Sequence, residues 1–233
     1  MTDAERRYFT PNSTDELIAN GLADGDVVLI NKRCSSLASA SPWRAAACMV
    51  AKYGLSGDGR GAWDHAAIVH HKDGVPYLLE GSERGVTLRT FEERLLQGTD
   101  HQEVTVLPLR GTDPNRTTTA MSSFVMDLGL RKTLDGFDGD GTTRCDNIWS
   151  VYRQLCAKPR LKARSLDDLP ISSPTNDGAP CLFGAPLVVS ALRRIGVLGE
   201  RAPDAASVTP AALPLLPLQS SAAFDRPRSV RSI

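Results

Sequence analysis

Apolar positions along this chain fall into short strand-like runs and a few helical stripes. Ser13-Thr14-Asp15-Glu16 offers side-chain oxygens to the free amides of a first turn. It predicts a short helix through Ile18, with Gly21 as its stop. The turn residues Asp24-Gly25-Asp26 precede an apolar run at 27–30, bounded like a buried strand. A helix is expected over 37–53 with Ala45, Met49 and Val50 inward, its start limited by Pro42; a glycine-rich loop follows at 54–61. Residues 66–70 and 75–80 read as strands joined by Lys72-Asp73-Gly74. The Asp-Gly pair signals a hairpin, because glycine adopts positive φ at little cost. Further strands are expected at 86–88 and 103–109, with a helix over 90–96 between them.

In the second half, Ala120, Met121, Phe124, Val125 and Leu128 stand at helical spacing. A Gly/Asp loop is expected at 133–145. Ile148, Val151, Tyr152 and Leu155 then mark a helix capped by Asp146 or Asn147, and residues 158–180 read as a Pro/Ser/Asp-rich loop. The clearest helix runs from about Pro186 to Ile195, with proline in its tolerant first turn and Gly196 as terminator. From 199 onward Pro, Ala and Ser dominate, which predicts an extended tail without a core of its own. The organisation is a polar leader at 1–12, one α+β domain at 13–198 and a tail at 199–233.

Composition narrows the function. The 233 residues suit one domain with an appendage. Lys plus Arg and Asp plus Glu number 27 each, so the basic excess of a nucleic-acid binder is missing and no nucleic-acid partner is expected. No apolar run approaches the roughly 20 residues of a membrane span. The acidic N-terminal stretch does not read as a signal or transit peptide. Five irregularly spaced cysteines (Cys34, Cys48, Cys145, Cys156 and Cys181), none in a CxxC pair, read as reduced thiols of a cytoplasmic protein.

No cofactor and no metal is expected. Residues 135–141 lack the ligand spacing of a calcium loop, and the adjacent strand residues His70 and His71 should point to opposite faces.

One pair carries candidate chemistry. His65 heads one strand of the expected hairpin and Glu80 ends the other. Paired strands bring such residues within hydrogen-bond reach, and a carboxylate on one imidazole nitrogen leaves the other to act as a base. Equally, such a pair can be an unconnected surface His and Glu.

The wider pattern is more specific. Leu22 to Leu29 (LADGDVVL), Trp63 to Val69 (WDHAAIV), Leu79-Glu80 and Gly85-Val86 occur in an order that resembles the circularly permuted papain-like group of the NlpC/P60 superfamily. Phe183 to Val188 (FGAPLV), Ala191 to Leu198 (ALRRIGVL) and Val208-Thr209-Pro210 continue the resemblance, which spans about 14–218 in separated blocks. It implies a small, mainly antiparallel sheet packed against helices, and an amidase or peptidase chemistry with an early His and a late Cys.

Carried over position by position, His65 matches the base and Glu80 its orienting acid. The nucleophile position falls on Gly184. Glycine has no atom to attack a carbonyl, so the resemblance implies a pseudoenzyme: a catalytically inactive binding or structural module. The alternative is an active thiol amidase, peptidase or acyl hydrolase using Cys181, three residues before Gly184, with His65 and Glu80. The tail, with Arg226, Arg228 and Arg231 near its end, reads as a segment docking into a larger protein assembly. Its basic tip suits an acidic surface such as that of a microtubule-based, cytoskeletal or ciliary structure.

Overall fold

The computed structural model of the chain describes residues 13–32, 63, 65–82, 85–97, 101–133, 136–138, 184–199, 202, 203, 205, 208–219 and 221–230. The helices expected over 37–53 and near 148–155, the loop at 158–180 and all five cysteines lie outside the described residues.

Ser13 starts the first helix as expected: its side chain accepts from the Glu16 amide at 3.1 Å, and helix α1 covers Thr14–Asn20 before Gly21. Strand β1 (Val27–Lys32) is followed by β2 (His65–Lys72) and β3 (Val75–Ser82). The hairpin between β2 and β3 turns on Asp73 and Gly74, with φ of 53° and 78°. That is the pair of positive φ values a two-residue turn of this hand needs. Strand β4 (Gly85–Thr90) ends on Thr90, whose hydroxyl accepts from the Glu93 amide at 3.2 Å and so caps α2 (Phe91–Gln97). Strands β5 (His101–Leu107) and β6 (Leu109–Arg110) lead to α3 (Pro114–Asp127). Asp113 caps α3, with proline at a tolerated first-turn position.

The Gly/Asp stretch expected as a loop instead carries a hairpin, β7 (Arg131–Thr133) and β8 (Gly136–Asp138), paired onto β4. Its strands of three residues are too short to show an alternating pattern. Helix α4 (Ala185–Ile195) follows, then a 3₁₀ turn (Pro210–Leu215) and two short strands, β9 (Ala223–Phe224) and β10 (Arg228–Val230).

The architecture is α+β. Eight strands form an antiparallel sheet in the order β10-β5-β1-β2-β3-β4-β8-β7, and β6 pairs with β9 in a second, two-stranded sheet. The main sheet is thus larger than the small one expected. Alternation sorts its residues between two cores. Val27, Leu29, Ala66, Ile68, Leu79 and Leu88 pack with α3 and α4. Val28, Ile30, Ala67, Val69, Leu78, Val104 and Val106 pack with Ile18, Ala19, Phe91 and Leu95 of α1 and α2.

The segment from 199 onward is not the extended tail expected: it packs on the domain. Ala202, Ala205, Val208, Leu213 and Leu216 are buried in the α3/α4 core, and Val230 closes the other one. Strand β10 pairs with β5, β9 pairs with β6, and the Asp225 amide donates to the Pro108 carbonyl at 2.8 Å. The segment needs no core of its own because it completes those of the domain. Among the described residues, no helix is long and apolar enough to cross a membrane.

Candidate functional site

Strand register brings the predicted pair together. Ala67 stands opposite Glu80, and His65 lies two residues back on the same sheet face. That diagonal is within reach of long side chains across a small alanine. The Nε2 of His65 lies 2.9 Å from Oε2 of Glu80. Both are nearly closed to solvent, with His65 2% and Glu80 6% exposed.

A third residue, absent from the sequence reading, completes the cluster. Nε of Arg94 stands 3.0 Å from Oε2 and 2.8 Å from Oε1 of Glu80. Arg94 is 9% exposed and comes from α2, whose Phe91 and Leu95 pack on the same sheet face. No local signal marks it: Arg94 follows Glu92 and Glu93 on a seven-residue helix, and only the carboxylate beneath it accounts for its inward turn. The arginine holds Glu80 ionised, and an ionised carboxylate only accepts. The bridging proton therefore belongs to Nε2 of His65.

The other ring nitrogen looks toward the position of interest. A Cβ placed on Gly184 would stand 3.8 Å from Nδ1 of His65 and 3.9 Å from the Ala66 amide nitrogen. Gly184 caps α4, and its amide donates to the Gly81 carbonyl at the end of β3, at 3.2 Å. The end of β3, the start of β2 and the start of α4 therefore meet at one point. Gly184 has φ 55° and ψ −114°, a conformation that excludes side chains at ordinary cost. Cys181, the alternative nucleophile, lies outside the described residues.

His70 and His71, adjacent on β2 and so on opposite faces, meet at one carboxylate. Both Nδ1 atoms lie 3.4 Å from the same oxygen of Asp24. The Asp24-Gly25-Asp26 turn closes the end of β2, with Gly25 donating to the Val69 carbonyl at 3.0 Å and Val69 to that of Asp26 at 2.8 Å. From there one carboxylate is reached from both faces. Burial raises the Asp24 pKa, but hydrogen bonds from His70, His71, Thr118 and the His71 amide outweigh it and hold the carboxyl well below the usual carboxylate range. Asp26 is the reverse case. Burial pushes it up, against the lowering effect of the Leu109 and Ala23 amides and of Arg110 and Arg228. Among the described residues, no group of three or more His, Cys, Asp or Glu is placed to hold a metal ion.

Set against known proteins, the chain matches no family model, no curated protein and no solved structure.

Proposed function

We propose that this chain is a catalytically silent domain of permuted papain-like, NlpC/P60 type, kept as a binding or structural module. One observation carries the reading: a buried, carboxylate-oriented imidazole faces a helix-capping glycine at the distance where a nucleophile would stand. The base has its orienting partner, and nothing at 184 can be deprotonated. The order of strands, with His65 on β2 and the late helix α4 starting beside it, supports the same reading. A microtubule-based or ciliary partner would need the basic end of an extended tail free to dock. The folding of that tail onto β5 and β6 removes its support, and no such partner is proposed.

The test treats the full chain with an electrophilic acyl probe and with amide and ester substrates. The expected outcome is no turnover, and cysteine labelling no faster in the native protein than in His65→Ala. Stoichiometric labelling of Cys181, lost in His65→Ala, overturns the proposal and establishes the thiol hydrolase that uses Cys181, His65 and Glu80.

A further inference from the structure

We propose that Arg94 is a positioning residue for His65: acting through Glu80, it keeps the imidazole neutral, with its proton on Nε2 and with Nδ1 turned toward Gly184. The inference rests on reading the His65 cluster as a site, but it concerns only the state of the ring. A carboxylate alone beside a buried imidazole favours the imidazolium, because an opposite charge stabilises the charged form. Here the carboxylate is already matched by a guanidinium whose Nε lies 2.8 Å from one oxygen and 3.0 Å from the other. The arginine remains charged throughout the accessible pH range. It therefore offsets the pull of Glu80 on a second proton while leaving the carboxylate able to accept from Nε2.

The three residues come from three elements, β2, β3 and α2, so the state of the ring depends on the seating of α2. From β4, Arg89 stands opposite Leu78 and shares this sheet face. The burial of all three partners decides that the effect is large enough to measure, since screening by water and salt is weak there.

The test is nitrogen-15 NMR of the His65 ring in the wild type, Arg94→Gln, Arg94→Lys and Glu80→Gln, with amide spectra to confirm the fold. In the wild type the ring is expected neutral at pH 7, protonated on Nε2 alone. Arg94→Gln is expected to move its titration to higher pH, and Arg94→Lys to return part of that shift. Glu80→Gln is expected to remove the Nε2 preference, giving a mixture of tautomers. A folded Arg94→Gln protein with unchanged titration and tautomer overturns the role of Arg94. The labelling of Cys181 bears on the silent-module reading separately, so the two can fail independently.

Discussion

At the scale of single residues, Gly184 separates two forms that the proposed silent site could take. A glycine in an ordinary helical conformation would make the loss a matter of one side chain. With φ 55° and ψ −114° the backbone itself lies where a side chain is not held at ordinary cost. Gly184→Ala is therefore expected to destabilise the protein by about 1–3 kcal/mol, the usual cost of forcing a side chain into such a region. Urea unfolding of the variant checks this, and an unchanged midpoint counts against the strained cap. Gly184→Cys should carry the same cost and present a thiol near the imidazole. Its alkylation is expected to slow on adding His65→Ala, while amide turnover stays near background. The His65–Glu80 contact was legible in the sequence because a strand pattern and a hairpin signal place the two on paired strands, whereas Gly184 was singled out only through the family resemblance. Arg94 was not legible, because nothing local says that a basic residue on a seven-residue helix turns inward; only the carboxylate beneath it explains that.

At the scale of elements, the Asp24-Gly25-Asp26 turn does more than precede a strand. Asp24 ties β2 to α3 through His71 and Thr118, and Asp26 accepts from the Leu109 amide of β6 at 2.8 Å. Gly25 has φ 87°, and a Cβ there would stand 3.0 Å from Leu109, 3.2 Å from Ile195 and 3.3 Å from Thr117. Gly25→Ala is expected to cost about 2 kcal/mol or more, from backbone strain and crowding together, read by thermal or urea unfolding.

The two carboxylates have opposite linkage. The folded pKa of Asp24 lies well below its ordinary value of 3.8, so its contribution to stability is present above that value and is lost progressively as pH falls from there toward the lower folded value. For Asp26, raised from 3.8, ionisation works against folding, so acid relieves rather than harms. Asp24→Asn is thus expected to lower stability at neutral pH and to flatten its fall between roughly pH 5 and 2. Unfolding free energies of wild type and variant across that range check the sign; parallel curves would remove Asp24 from the acid response. The turn chemistry was legible in the sequence, but the partners were not, since they come from residues 47 to 94 positions away in the chain.

At the scale of the whole molecule, the C-terminal segment decides where the domain ends. Its Pro, Ala and Ser content hid the packing because its apolar residues follow no period: Val208, Leu213, Leu216 and Val230 are spaced by loops and a 3₁₀ turn, not by a helix or strand repeat. Yet residues 223–230 run antiparallel beside 104–110, with Phe224 opposite Leu109 and Val230 opposite Val104. Ser221 extends the contact. Its hydroxyl donates to the Gly111 carbonyl at 2.8 Å, and Gly111, with φ 77°, leaves no room for a Cβ against the Ser221 backbone. An extended docking arm and a folded strap then predict different outcomes for one substitution. Leu213 is 0% exposed and sits in the core with α4, so Leu213→Ala is expected to destabilise the domain by about 2–5 kcal/mol. An arm free of the domain would leave stability within about 0.5 kcal/mol, as surface changes do. Removing residues 221–233 should act on the other side of the sheet. It uncovers the outer edge of β5 and the core around Val104, and amide exchange at 104–106 is expected to accelerate while the β2–β3 hairpin stays protected. Wild-type unfolding midpoints in both variants, with unchanged exchange along β5, would return the segment to the role of a tail.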